Sequence, residues 1–309
     1  MIAPELKFEK RDWINSPPLD LNQQRGKIIL LDFFTYSCIN CVRTFPALKR
    51  IWDRYANLGV FVIGIHSPEF DFERIPKNVE RALQRHDLKY PVLLDSNHHN
   101  FKSFEAPGWP HAILISPQGT IILTHTGEQG YNHIEEAIRD ELKKQGQNPT
   151  QKIDPEQRHF TSPETSPELY TGFDKGANFG SSRICTKEGC DEFKESTTHH
   201  KNTLYPHGDW QEKSESITLI GDTGSLSICA YAKEMYVVLN AEKPCEITRD
   251  NKPLDPLELG VDIIQKDQKT ILIPHGPDVY NILRSDTSTL QTIKITGTKG
   301  LTVYSFVCN

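Results

Sequence analysis

The sequence predicts an α/β layer fold over the first half of the chain and an all-β sandwich or jelly roll over the second. Two observations carry this. Strand-like and helix-like apolar patterns alternate up to about residue 145, then the helical period stops and short β-rich runs take over. Between them, Lys144 to Pro167 is polar and Pro-containing, the composition of a linker. The expected boundaries are residues 1–147 for the first domain, 148–165 for the linker and 166–309 for the second domain.

Each element has its own reason. Ile28 to Phe34 is a nearly unbroken apolar run, which suits a strand buried on both faces. From Cys41 to Tyr55, Val42, Phe45, Leu48, Ile51, Trp52 and Tyr55 keep helical spacing. Pro46 inside that helix predicts a kink. Val60 to Ile65 is a second buried strand. Val79, Leu83 and His86 mark a second helix after Ile75-Pro76, and Tyr90 to Leu94 a short strand. Ala112–Ile115 and Thr120–Thr124 flank Ser116-Pro117-Gln118-Gly119, so they read as an antiparallel hairpin. Ile134, Ala137, Ile138 and Leu142 place a last amphipathic helix. Eight short apolar runs between Ile217 and Val307, separated by turn residues, make the second domain all-β.

A net charge of -6 argues against a nucleic-acid or anionic-membrane partner. No apolar stretch approaches the roughly 20 residues of a membrane span. Met1 to Phe8 lacks the apolar core of a signal peptide. The expectation is a cytoplasmic protein if Met1 is native, and a periplasmic or other extracytoplasmic one if a leader was removed. Seven cysteines, an odd number, fit a reducing interior slightly better than an oxidising one.

Cys38-Ile39-Asn40-Cys41 carries the chemistry. It joins a buried strand to a helix, so both sulfurs fall at a helix N-terminus, where the dipole favours a thiolate. A structural zinc site needs four ligands, and the other close pair, Cys185 and Cys190, lies in the other domain. No metal site is expected. The pairs His98-His99 and His199-His200 read as solvated loop residues. Cys185 and Cys190 could form a local disulfide or remain thiols. Cys229 and Cys308 read as small buried core residues.

Three features around the pair favour redox work. Asp32 lies inside an apolar strand, six residues before Cys38. A buried carboxylate has a raised pKa and can take the proton Cys41 must lose. The alternative is an Asp32 that merely hydrogen-bonds backbone or water. Pro110 opens a central strand, which suggests a cis peptide after Trp109 or an ordinary trans proline at a strand start. Pro46 follows Cys41 by five residues.

Together these residues resemble thioredoxin-like proteins of the TlpA type over residues 20 to about 145: Asp32, Phe33-Phe34, Cys38-x-x-Cys41, Pro46 and Trp109-Pro110. Phe34 to Arg43, His66-Ser67-Pro68-Glu69-Phe70 and Ser166 to Phe173 extend the resemblance to the soluble C-terminal part of DipZ-type proteins. It implies a thioredoxin-like fold, a central mixed sheet flanked by helices, followed by a carbohydrate-binding-module-like β-domain. It also implies roles. Cys38 is the attacking thiol, Cys41 the resolving thiol and Asp32 the buried acid. Trp109, Pro110 and Tyr36 shape a substrate groove, although Tyr36 and Trp109 could equally be plain packing. Glu69 is a surface residue or a secondary acid. The expected activity is thiol–disulfide exchange on protein disulfides, with the Cys38–Cys41 couple as the redox group, no other cofactor and an external electron donor. DipZ-type proteins carry an upstream membrane electron-transfer domain that this sequence lacks. Potentials of such couples span about -270 to -120 mV, so direction is not set by Ile39-Asn40 alone.

Two alternatives remain. Thr35-x-x-Cys38 matches a peroxiredoxin-like thiol peroxidase, but Leu31 stands where that pattern has proline. The β-domain could be a binding module beside a vestigial redox domain, since Tyr170, Phe173, Tyr205 and Trp210 could stack on a glycan or protein ligand or fill the core.

Overall fold

The computed structural model describes residues 1–155, 163–186 and 189–309, with backbone alone at 185, 186 and 189–191. The chain divides into units Met1–Arg158 and His159–Asn309. The elements of the first unit are β1 (Trp13–Ile14), β2 (Ile28–Phe34), α1 (Ile39–Tyr55), β3 (Val60–His66), α2 (Pro76–Arg85), β4 (Val92–Leu94), α3 (His99–Ser103), β5 (His111–Ile115), β6 (Ile121–Thr126) and α4 (Tyr131–Lys144).

Its six-stranded sheet runs β1-β4-β3-β2-β5-β6. β2 lies parallel to β3 and antiparallel to β5, so the sheet is mixed. All seven residues of β2 are buried, as its apolar run requires; each large side chain there contributes roughly 1.5–3 kcal/mol of transfer free energy. Phe45, Leu48, Ile51 and Tyr55 form the buried stripe of α1, while Val42 and Trp52 are only half-buried. Pro46 lies inside the helix. The predicted hairpin is β5–β6.

The second unit contains β7 (Leu169–Tyr170), β8 (Ser182–Thr186), β9 (Gly189–Lys194), β10 (Thr203–Glu212), β11 (Ile217–Leu219), β12 (Thr223–Asn240), β13 (Cys245–Arg249), β14 (Lys252–Pro253), β15 (Ile263–Lys266), β16 (Lys269–Leu272), β17 (Asp278–Thr298) and β18 (Thr302–Cys308). It is β-rich. β10 pairs β11, β11 pairs β18, β18 pairs the second half of β12, and the first half of β12 returns to β10. That ring closes a small barrel. Several short runs read from the sequence merge: Ser225–Tyr231 and Met235–Leu239 are one strand, β12, and Val279–Leu283 and Gln291–Ile295 are one strand, β17. Irregular register between Ala232 and Tyr236 explains the break in the pattern.

Trp210 and Tyr205 are core residues, the indole N–H donating to His207 O at 3.0 Å. Tyr170 is half-buried and Phe173 is 58 % exposed. Cys229 and Cys308 are buried, as is Cys245. The side chains of Cys185 and Cys190 lie outside the described residues. Among the described residues, no helix is long and apolar enough to cross a membrane.

Candidate active site

The site forms where β2 hands over to α1. Cys38 is the N-cap of α1, and its Sγ accepts the Cys41 N–H at 3.4 Å. Sulfur here takes the place of the oxygen that usually caps a helix. Cys38 is half-buried and Cys41 fully buried; both are free thiols. Burial pushes the Cys41 thiol well above its usual range, its hydrogen bond with Cys38 and the nearby Cys38 and Asp32 charges push the same way, and a Thr35 backbone hydrogen bond opposes them.

Asp32 is fully buried beneath the pair. Burial raises its pKa to about 7, and the Tyr131 hydrogen bond pulls it back. Tyr131 donates to Oδ1 at 2.9 Å; Oδ2 has no partner among the described residues. Asp32 faces Gly64 on β3 and Ala112 on β5. A Cβ at Gly64 would sit 2.8 Å from the Phe34 ring and 3.3 Å from Tyr90, so glycine is what lets these rings pack there. Asp32 thus has small neighbours on both strands and aromatic rings around it, which is why its charge is poorly solvated.

The loop before Cys38 is held by a residue the sequence reading missed. Glu73 is buried, and its carboxylate accepts from five groups. Oε1 takes the Thr35 hydroxyl, the Ser37 N–H at 3.1 Å and the Ser37 hydroxyl at 2.8 Å. Oε2 takes the N–H groups of Glu69 at 2.6 Å and Phe70 at 3.0 Å. One carboxylate therefore ties the β2–α1 loop to the loop after β3. Burial raises its pKa against these hydrogen bonds. The sequence reading singled out Glu69 on this loop; the structure leaves Glu69 half-buried and makes Glu73 the enclosed acid. The only sequence signal was two acids alternating with two phenylalanines, Phe70-Asp71-Phe72-Glu73.

Of the two readings of Tyr36, groove wall or plain packing, the structure favours packing. It is 1 % exposed and stacks on His66 with ring centroids 5.7 Å apart, so its side chain packs inward and does not wall a groove. His66 is buried too, and desolvation drops its pKa to about 3. Trp109 is half-buried, with its ring 5.0 Å from Phe101 and 6.3 Å from His98. The Trp109–Pro110 peptide is cis, and Pro110 directly precedes His111, the partner of Phe33. This brings the turn to the C-terminal end of β2, where the Cys38 loop begins. Thr35 does not serve Cys38 with its hydroxyl, which is given to Glu73. Among the described residues no cluster of three His, Cys, Asp or Glu side chains suits a metal ion.

The mixed sheet, the dithiol at the helix start and the neighbouring cis proline define a thioredoxin-like protein. Comparison with known proteins narrows this. Residues 2–124 match the AhpC/TSA family, and residues 166–307 match the family described as thioredoxin like C-terminal domain. Protein DipZ of Mycobacterium tuberculosis is 30 % identical over 98 % of this chain and 42 % of its own length. Thiol-disulfide oxidoreductase ResA of Halalkalibacterium halodurans is 26 % identical over 38 % of this chain and 64 % of its own. A crystal structure of a thiol-disulfide isomerase from Corynebacterium glutamicum aligns with 24 % identity over 45 % of this chain and 96 % of that one, at a TM-score of 0.40. Together these matches support a TlpA/DipZ-type family of thioredoxin-like proteins. It spans less than half the length of DipZ.

Proposed function

We propose that the chain is a thiol–disulfide oxidoreductase that works through Cys38 and Cys41 on protein disulfides. The observation that carries this is the unequal pair: a half-buried Cys38 capping α1 and a fully buried Cys41 beside a carboxyl with one open oxygen. The Cys38 thiolate attacks one sulfur of a substrate disulfide. That S–S bond breaks, a substrate thiolate leaves, and a mixed disulfide forms. The Cys41 proton passes to Asp32 Oδ2. The Cys41 sulfur then attacks Cys38 Sγ, the second substrate thiol leaves, and the chain is left with a Cys38–Cys41 disulfide. An external dithiol donor restores the thiols, and the couple is the only redox group the cycle needs. Trp109 and Pro110 flank the incoming substrate.

The peroxidase alternative gains nothing from the geometry, because the Thr35 hydroxyl is spent on Glu73. For the second unit we propose a binding surface on the β-rich domain that recruits a glycan-bearing or protein substrate, supported by exposed Phe173 and half-buried Tyr170. Phe173→Ala in the full chain should weaken glycan-array or pull-down binding; unchanged retention rejects that role.

The catalytic reading is tested by trapping. Cys38→Ser should abolish turnover, and Cys41→Ser should accumulate a covalent substrate adduct that reductant releases. Full reductase activity in Cys41→Ser without an adduct overturns the mechanism.

A further inference from the structure

Tyr131 begins α4, 99 residues from Asp32 in sequence, and its hydroxyl is buried against the site. It donates to Asp32 Oδ1 at 2.9 Å. It is itself hydrogen-bonded by the side chain of Thr44 on α1. That single hydroxyl proton has a second acceptor, the carbonyl of Cys41, 2.8 Å from Thr44 Oγ1, and is shared between the two oxygens. A short polar thread therefore leads from the backbone of the resolving cysteine, through Thr44 and Tyr131, to one oxygen of Asp32.

The ring of Tyr131 is fixed from its outer side as well. His125 on β6 lies edge-on to it, with centroids 6.0 Å apart and planes at 83°. Gly130, at a φ of +96°, is the N-cap of α4, and a Cβ there would come within 2.7 Å of the His125 ring. His125 pairs with Ala112, which pairs with Asp32, so the three residues lie in line across β6, β5 and β2. Ala112, between the other two, carries only a methyl group.

We propose that Tyr131 is the positioning residue of the resolving step: by holding Oδ1 it turns the carboxyl so that unpartnered Oδ2 receives the Cys41 proton. The inference rests on the assignment of Asp32 as that acceptor. Two consequences follow from the chemistry. A phenol donating to a carboxylate favours the ionised form, so Tyr131 keeps Asp32 available as a base at neutral pH. It also removes rotational freedom from the carboxyl before the proton moves. The other ionisable groups facing Asp32 are the Cys41 thiol and the Tyr90 phenol, both kept neutral by burial. Tyr90 makes no hydrogen bond among the described residues, so the phenol that holds Asp32 is that of Tyr131.

The test uses the full chain and an aromatic disulfide probe, dithiobis-nitrobenzoate. Cys38 attack releases one coloured thiolate, and displacement by Cys41 releases the second. The ratio of the second rate to the first, followed against pH, isolates the resolving step. Tyr131→Phe keeps the ring and removes only the hydroxyl. Its profile should move up by about one pH unit, with a second release slowed about three- to tenfold at neutral pH and recovering in alkali. Thr44→Val should move it the same way by less, and serves if Tyr131→Phe does not fold. In an Asp32→Asn background, Tyr131→Phe should have no further effect on the ratio. An Asp32→Asn that alters the profile while Tyr131→Phe and Thr44→Val do not overturns the role of Tyr131 and leaves Asp32 in place. An Asp32→Asn that leaves the profile untouched overturns both.

Discussion

Asp32 and His66 sit on adjoining parallel strands, two ladder positions apart, and burial pushes each toward its neutral form. Asp32 pairs with Gly64, and His66 pairs with Phe34. The Asp32 pKa rises from 3.8 to about 7 and that of His66 falls from 6.5 to about 3. Their effects on stability have opposite signs. Between 3.8 and 7 the folded chain holds the Asp32 proton that the unfolded chain has lost, so stability present in acid is lost as pH rises. Between 3 and 6.5 the unfolded chain carries the extra proton on His66, so stability is lost as pH falls. Each limb has a limiting slope of about 1.4 kcal/mol per pH unit. In the shared window they oppose each other, and the wild type should show a flat response from this pair. Asp32→Asn should become steadily more stable from about pH 4 to pH 6.5, and His66→Phe steadily less stable. Urea unfolding midpoints across that range measure both. Parallel profiles in the two variants reject the opposition.

Glu73 should matter to both stability and rate. Its carboxylate accepts from Thr35, Ser37, Glu69 and Phe70, so Glu73→Gln replaces an acceptor oxygen with an amide that confronts N–H and O–H donors. The loss should be about 2–4 kcal/mol, the range for a buried charged acceptor removed from its donors. The loop carrying Ser37 into Cys38 should loosen, and the first release from the disulfide probe should slow. Thermal melting and that rate are the two measurements. A Gln variant within about 0.5 kcal/mol of wild type, with an unchanged rate, removes Glu73 from this role.

How far the sequence was legible depends on the distance over which each signal acts. β2, α1, β3 and the β5–β6 hairpin were readable because their apolar periods are local, and so was Cys38 at a strand-to-helix junction. Asp32 stood out as an acid inside an apolar run. Its partner Tyr131 did not, because nothing near residue 131 marks a phenol that will reach β2. Glu73 was missed for the same reason: its donors come from two loops brought together by β2 and β3 pairing. Tyr36 stayed open between groove and core because an aromatic next to the cysteines looks alike whether it faces outward or stacks inward on His66. In the second unit, two long strands were read as four short ones, since the bulged register of β12 and the polar middle of β17 resemble turns.

The Thr35 contact predicts weak peroxide chemistry. A peroxidase needs a hydroxyl directed at the reacting thiolate and peroxide, and here that hydroxyl donates to Glu73. Hydrogen peroxide should oxidise Cys38 at a rate ordinary for a thiolate of the same exposure, without the acceleration a peroxidase site adds. Stopped-flow oxidation of the reduced chain, read against free cysteine at matched pH, is the measurement. A rate several orders of magnitude higher restores the peroxidase reading.

Trp109 should separate substrate binding from thiol chemistry. Its ring leans on Phe101 and His98 and remains half-buried, next to the cis Pro110 that precedes β5. An aromatic face held by neighbouring rings loses little freedom on binding, and truncating such an anchor typically costs about 1–2 kcal/mol. Trp109→Ala should therefore raise KM for a disulfide-bonded peptide about five- to thirtyfold while changing kcat little. The same variant should react almost normally with the small dithiobis-nitrobenzoate probe, whose attack depends on Cys38 and the α1 N-terminus alone. Steady-state kinetics with both substrates decide the matter. Equal losses on both mean that Trp109 shapes the dithiol site itself, whereas a loss confined to the peptide assigns the indole to the substrate groove.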